Sequence, residues 1–306
     1  MKKLLVIIFL LSEILFGQYR NLIFEHLTIE NGLSQSSVLS IYQDSKGYLW
    51  FGTSDGLNRY DGYSFKIYKN DIRNPYSISN NVINHITEDP DGNLWVATAN
   101  GLNKFNPRSE KFYRIRLESN NPSSYSDAIN SVLCYYNSKE KNVWFTTTKG
   151  VSYYNTKNNR FSFYPIAENT SGKNSLNLSL FRDSYNSIWV EDPIKGLFKF
   201  NKDKNIFERF YVDKISRVKN ETWYSELYED KDKNLWYGTN LGLVKFNPAT
   251  GNVKRYKEQF EKAIDAIIQE GFITIISELD DDHIILGTSG NGLFIFDKND
   301  GTVQNT

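Results

Sequence analysis

Short apolar runs separated by polar turn residues fill most of the chain. The first segment contains four such runs: Val38–Tyr42, Leu49–Gly52, Leu57–Tyr60 and Phe65–Tyr68. Turn sequences rich in Asp, Ser and Gly lie between them, and this arrangement is typical of antiparallel hairpins. The pattern therefore predicts four short β-strands. A helical period occurs at Glu258–Gln269, where we expect one short helix.

The four-strand unit recurs six times along the chain. One large apolar residue anchors the second strand of each copy: Trp50, Trp95, Trp144, Trp189, Trp236 and Ile285. Successive anchors are 45 to 49 residues apart, a period typical of propellers and solenoids. A helical solenoid needs two amphipathic helices per repeat, and a β-helix uses shorter repeats. The sequence therefore predicts an all-β propeller of four-stranded antiparallel blades, with the anchor tryptophans between blades.

The motif in the first copy joins Leu-Trp-Phe-Gly-Thr, ending at Thr53, to Gly-Leu-Asn-Arg-Tyr-Asp-Gly, ending at Gly62. The segment Leu27–Val38 leads into it. This pattern resembles the two-component regulator propeller repeat, which builds the extracytoplasmic sensors of bacterial hybrid two-component systems, best known in Bacteroidetes. The resemblance covers six copies and nearly all of the chain. It implies a signalling input domain, and such sensors often recognise breakdown products of polysaccharides.

The copy number departs from that family. Its full-length sensors resemble two tandem seven-bladed propellers followed by a β-sandwich, a membrane helix and a kinase. Six copies are present before Thr306, so we expect a truncated reading frame, a gene fragment or a freestanding remnant. Two arrangements stay open. A six-bladed ring, closed by a strand at Asn21–Ile29 that pairs with Leu293–Phe296, is preferred to a seven-bladed ring that lacks one blade.

The amino terminus has the pattern of a secretory signal peptide. Lys2 and Lys3 precede an apolar run, Leu4–Phe16, which Ser12 and Glu13 interrupt, and Gly17 follows it. The run is shorter than the roughly 20 residues that a membrane-spanning helix needs. A buried N-terminal helix is the alternative. We expect residues 1–17 to be removed near Gly17, and residues 18–306 to form the propeller in the periplasm or outside the cell.

Composition narrows the possible functions. Lys plus Arg and Asp plus Glu are both 36, so the net charge is zero, and a partner bound through a broad basic surface, such as nucleic acid, is not expected. Cys134 is the single cysteine, which excludes an internal disulfide and predicts a buried, inert thiol. The chain has 20 Tyr, 20 Phe and 6 Trp, an aromatic content that the blade layers would absorb.

The predicted binding residues lie in the loops that follow the second strands. Ligands of propellers usually bind where these loops and the connections between blades meet, and the loops vary from copy to copy. Solvated turns with no binding role are the alternative. The candidates are Asp55, Asn100, Lys149, Lys195, Asn240 and Asn291.

Two further candidates lie outside those loops. Trp223 is the one tryptophan that is not a repeat anchor, and it is placed to stack on a sugar ring or a peptide; packing between blades is the alternative. His85 falls within a first strand, where a side chain can line a central channel.

Catalytic and metal-binding patterns are weak. Asp89–Asn93 and Asp230–Asn234 resemble the start of a calcium loop, but each lacks the downstream bidentate carboxylate, and a hairpin turn explains both. The three histidines fall at different repeat positions, and no nucleophile elbow, phosphate loop or dinucleotide motif is present. We therefore expect no cofactor, no metal and no catalytic residue.

The preferred hypothesis is a non-enzymatic sensing propeller that binds a small ligand, with an oligosaccharide fragment as the expected class. Its expected partners are a sensor kinase or a second copy of the chain. The alternatives are a secreted enzyme acting on glycans, either a lyase or a hydrolase, and a freestanding protein-interaction scaffold.

Overall fold

A computed structural model describes residues 26–115, 134–137, 140–147, 150–166, 178–192, 196–210, 227–239, 242–256, 273–290 and 292–305. The proposed signal peptide and the helix expected at Glu258–Gln269 lie outside these ranges. The chain divides into two compact units, which are described separately: Leu27–Trp223, and Tyr224–Thr306 together with Met1–His26.

The unit Leu27–Trp223 contains four antiparallel blades, each with its strands hydrogen-bonded in chain order. Blade 1 consists of β1 (Val38–Gln43), β2 (Leu49–Thr53), β3 (Gly56–Tyr60) and β4 (Phe65–Tyr68). Blade 2 consists of β5 (Ile83–Glu88), β6 (Leu94–Thr98), β7 (Gly101–Asn106) and β8 (Lys111–Arg114). Blade 3 consists of β9 (Cys134–Asn137), β10 (Asn142–Thr147), β11 (Gly150–Asn155) and β12 (Arg160–Pro165). Blade 4 consists of β13 (Ser179–Arg182), β14 (Ile188–Asp192), β15 (Gly196–Asn201) and β16 (Ile206–Arg209).

The unit that includes Tyr224–Thr306 contains two more blades of the same design. Blade 5 consists of β17 (Tyr228–Glu229), β18 (Leu235–Thr239), β19 (Gly242–Phe246) and β20 (Val253–Tyr256). Blade 6 consists of β21 (Ile273–Glu278), β22 (His283–Thr288), β23 (Leu293–Asp297) and β24 (Val303–Asn305). The predicted all-β class, the β-propeller fold and the six four-stranded blades are confirmed.

Within each unit, anchor tryptophans lie in the layers between neighbouring blades, as predicted. Trp50 is fully buried and contacts Phe105 of the next blade edge-on, with ring centroids 5.5 Å apart. In the second unit, Trp236 contacts Phe296 in the same way at 5.6 Å. Burial of such large aromatic surfaces supplies most of the stabilisation of each layer.

A small residue beside the anchor lets successive blades approach closely. A Cβ atom on Gly52 would lie 2.8 Å from a methyl group of Ile83 in blade 2. A Cβ atom on Gly238 would lie 2.5 Å from Ile273 in blade 6. The Gly-Thr pair after the anchor therefore serves packing between blades at both junctions.

The expected closing strand is corrected in its described part. The central strand β23 is already bonded on both sides, to β22 and to β24, with Phe294 opposite Asn305 and Phe296 opposite Val303. The chain's own last strand therefore holds the position that we assigned to Asn21–Ile29. Residues 21–25 lie outside the described ranges, and Ile29 begins a short 3-10 turn that Thr28 caps.

Candidate functional site

Each blade of the unit Leu27–Trp223 has two ends. We call the end with the turns between first and second strands, and between third and fourth strands, the turn end. The opposite end, with the loops between second and third strands, is the loop end. Asp55 and Asn100 lie at the loop end, and His85 lies on the first strand of blade 2. The other predicted residues lie outside the described ranges: Trp223, Lys149, Lys195, Asn240 and Asn291.

The two described loop-end candidates, Asp55 and Asn100, make hydrogen bonds or ion pairs within their own blade. The Asp55 carboxylate pairs with Lys69 Nζ at 2.6 Å. Its backbone amide donates to Thr53 Oγ1, and Thr53 in turn donates to the carbonyl of Gly56. Asn100 is exposed in an equivalent turn, where its amide donates to Thr98 Oγ1. The structure brings no two of Asp55, Asn100 and His85 into hydrogen-bond or ion-pair contact within the part that it describes.

His85 is a half-buried side chain on β5. Loss of solvent around the imidazole lowers its pKa to about 4, well below its ordinary value. The ring is therefore neutral at physiological pH. A neutral imidazole can donate one hydrogen bond and accept another, but it brings no positive charge to an anionic ligand.

A cluster of three side chains recurs at the turn end. In four blades the anchor indole Nε1 donates to an aspartate six residues earlier, at 2.8 to 3.2 Å. A basic side chain from the third strand lies over the same indole ring. The four clusters are Asp44, Trp50 and Arg59; Asp89, Trp95 and Lys104; Asp183, Trp189 and Lys199; and Asp230, Trp236 and Lys245.

The contacts of Asp230 offset the burial of its carboxylate. Burial alone would raise the pKa of Asp230, but hydrogen bonds from Trp236 and Asn234 and the charge of Lys245 hold that pKa below its ordinary value. Asn234 donates through its backbone amide at 2.8 Å, and Lys245 Nζ lies 3.5 Å away. The carboxylate thus satisfies the turn and the indole, which agrees with the interpretation of this segment as a hairpin turn.

Blade 3 breaks this pattern. The residue six positions before Trp144 is Ser138, which lies outside the described ranges, and the basic position holds Tyr153. Trp144 is 3% exposed, and its indole nitrogen has no hydrogen-bond partner among the described residues. The carbonyl oxygen of the Asn142 side chain is likewise buried and unpartnered there. One unmet donor and one unmet acceptor therefore lie on the same strand.

A cavity of about 300 Å³ opens beside Trp144, at the turn end between blades 3 and 4. Tyr153 and Tyr164 of blade 3 and Phe200 of blade 4 give it an aromatic lining. The Trp144 ring stacks on Tyr164 at 5.6 Å and contacts Phe200 edge-on at 4.9 Å. The volume of the cavity is at the lower end of the range, about 300–1,000 Å³, that is typical of small-molecule sites.

The polar lining of this cavity comes mostly from turn residues. Asn137, Asn186 and Asn205 contribute side-chain amides. Glu140 and Lys202 also line it and pair with each other, with Oε1 and Nζ 3.1 Å apart. Because the two charges offset each other, the cavity presents hydrogen-bonding groups without a net charge.

This cavity was not predicted from the sequence, because the loop-end turns vary most from copy to copy and the residues of the turn end resemble ordinary hairpin turns. The signal was nevertheless present. Four copies have Asp six residues before the anchor and Arg or Lys on the third strand, whereas copy three has Ser138 and Tyr153 at those positions. Ile285 marks a second departure, in blade 6, where no tryptophan is present to be capped.

Comparison with known proteins connects the repeats to a family. The family model described as two component regulator propeller matches residues 32–55 and 77–100, in agreement with the resemblance seen in the sequence. A histidine kinase of Formosa agariphila is 52% identical over 63 residues, which are 21% of this chain and 5% of that protein.

Solved structures extend the likeness to the fold. The extracellular domain of a hybrid two-component system from B. thetaiotaomicron is 25% identical, with a TM-score of 0.69 over 89% of this chain and 35% of that one. A virginiamycin B lyase from Staphylococcus aureus, at 13% identity and a TM-score of 0.58, shares the fold alone and covers 88% of this chain. The chain thus spans well under half the length of the sensor domain and the kinase that it matches.

Proposed function

We propose that this chain, whose residues 32–55 and 77–100 are two-component regulator propeller repeats, is a non-catalytic, extracytoplasmic propeller that senses a ligand for two-component signalling. The observation that carries the proposal is the family match together with the similarity to the extracellular domain of a hybrid two-component system.

The location and domain organisation are part of this proposal. Residues 1–17 act as a signal peptide that directs residues 18–306, the propeller, to the periplasm or the cell exterior. The similar structure from B. thetaiotaomicron is an extracellular domain, which supports an extracytoplasmic site. In the part of the chain that the structure describes, no helix has the length and hydropathy to cross a membrane.

The ligand in this proposal is a fragment of a glycan, and the partner is a sensor kinase, with self-association as a second route. The support comes from the chemistry of the described residues. The cavity between blades 3 and 4 is aromatic and amide-lined with offset charges, as binding of a neutral hydroxylated molecule requires. Trp223, which lies outside the described residues, remains a proposed stacking residue.

A ligand panel with product analysis tests the proposal. The neutral panel contains glucose, galactose, mannose, xylose, N-acetylglucosamine and cellobiose, and the charged panel contains glucuronate and glucosamine. We expect at least one neutral sugar to raise the melting temperature, because a ligand that binds only the folded state stabilises it, and to be recovered unchanged. Cleavage of cellobiose would favour a secreted enzyme, and the absence of any stabilisation would contradict glycan sensing.

A further inference from the structure

We propose that the cavity between blades 3 and 4 is a binding site for one ring of a neutral, polyhydroxylated small molecule. The inference rests on the proposed sensing function and places its binding site at the turn end, away from the loop-end residues that the sequence pointed to. The main observation in its support is that blade 3 lacks the Asp–Trp–Lys or Asp–Trp–Arg cluster of blades 1, 2, 4 and 5. The cavity opens where that cluster would lie.

The unmet indole N–H of Trp144 fits a hydroxyl group. A buried N–H without an acceptor destabilises the folded state, so a fold retains one only where something offsets that cost. Trp144 lines the cavity, and its Nε1 needs an acceptor. A hydroxyl oxygen can accept from this N–H, whereas an ammonium only donates.

The lining around these atoms selects for a neutral ring. Tyr153, Tyr164 and Phe200 are half-buried, so they retain ring surface on which the C–H faces of a sugar can pack. The amides of Asn186 and Asn205 both donate and accept hydrogen bonds. Glu140 and Lys202 are paired with each other, so neither charge is left to attract an ionic group.

The turn geometry provides a substitution that removes one lining amide without straining the backbone. Asn205 has φ 55°, in the left-handed region that glycine adopts freely, and its Oδ1 accepts from the Tyr164 hydroxyl at 3.0 Å. Asn159 has the same φ of 55°, and its Oδ1 accepts from the Tyr154 hydroxyl at 2.7 Å, but it does not line the cavity. Asn159→Gly is therefore a matched control for Asn205→Gly.

The test measures the affinity of each panel sugar by saturation-transfer NMR titration for the wild type, Asn205→Gly and Asn159→Gly. We expect a neutral sugar to bind the wild type and Asn159→Gly equally, and to bind Asn205→Gly about ten-fold more weakly, the usual effect of one lost hydrogen bond. Tyr153→Lys, which restores the basic residue of blades 1, 2, 4 and 5, should weaken binding by at least that factor.

The outcomes separate this inference from the function on which it rests. Equal binding by all four proteins would overturn the site but leave glycan sensing in place. Binding of glucuronate or glucosamine in preference to the neutral sugars would overturn the assigned ligand class. Absence of binding to the wild type would contradict the proposed glycan ligand and, with it, this site. Melting temperatures of the variants, measured alongside, show whether each one is folded.

Discussion

Trp95→Ala is expected to lower the free energy of unfolding by about 3–5 kcal/mol, the usual cost of removing a large buried aromatic side chain. Trp95 is 1% exposed and lies between blades 2 and 3, stacked on Tyr136 with ring centroids 6.2 Å apart. Its indole also donates to Asp89 and lies under Lys104. The substitution therefore removes a packed ring and leaves a buried carboxylate with one donor fewer. Urea unfolding followed by circular dichroism measures the change.

Tyr63→Ala is the control for Trp95→Ala. Tyr63 is 95% exposed, so its removal should change stability by less than about 0.5 kcal/mol, as for other surface substitutions. A loss below about 1 kcal/mol in Trp95→Ala would contradict the assignment of the anchor tryptophans to the layers between blades.

Asp230→Ala is expected to lower the free energy of unfolding by about 3 kcal/mol. The substitution leaves the buried indole N–H of Trp236 without an acceptor and removes the ion-pair partner of Lys245. The Asp230 side chain is 2% exposed and accepts from Trp236 at 2.8 Å. Asp232→Ala, an exposed change in the same turn, should be near neutral. Equal losses in the two variants would show that the turn, and not the buried carboxylate, carries the effect.

The pH dependence of this cost has a definite sign. The pKa of Asp230 in the folded protein is lower than the value of 3.8 expected for the unfolded chain. The stabilisation that the ionised Asp230 carboxylate gives the folded state is therefore fully present above pH 3.8. It is lost as the pH falls through the lower, folded-state pKa. Urea unfolding at pH 7 and in this acidic range should show the difference between wild type and Asp230→Ala shrinking in acid.

Much of the fold follows from local sequence. The four strands expected in the first copy match β1–β4 to within one residue at each end, because alternating side chains and Asp-Gly turns act over short distances. The final strand was harder to place. Val303–Asn305 has three residues, too few to show a pattern, and its position becomes clear only from its pairing with β23.

The candidate site was much less predictable. The residues that surround Trp144 come from five strands and three turns of two blades, and their proximity is a product of packing. Aligning the repeats identifies the position of each anchor residue and its neighbours. The loops at the loop end vary more between copies, however, and for that reason they were the predicted binding residues. The more informative signal was that copy three has Ser138 and Tyr153 where four other copies have Asp and Arg or Lys. This difference can be interpreted only once the structure shows that the Asp side chain accepts a hydrogen bond from the anchor indole.

The most direct test of the account observes the Trp144 indole itself. The chain has 6 Trp, so ¹⁵N-tryptophan labelling should give six indole N–H signals, with those of Trp144 and Trp223 assigned by their loss in Trp144→Phe and Trp223→Phe. When a neutral panel sugar is added, we predict that the Trp144 signal moves as the N–H gains an oxygen acceptor. The signals of Trp95 and Trp236, already bonded to Asp89 and Asp230, should stay in place. An unmoved Trp144 signal, or a shift of the Trp223 signal alone, would contradict a ligand site between blades 3 and 4.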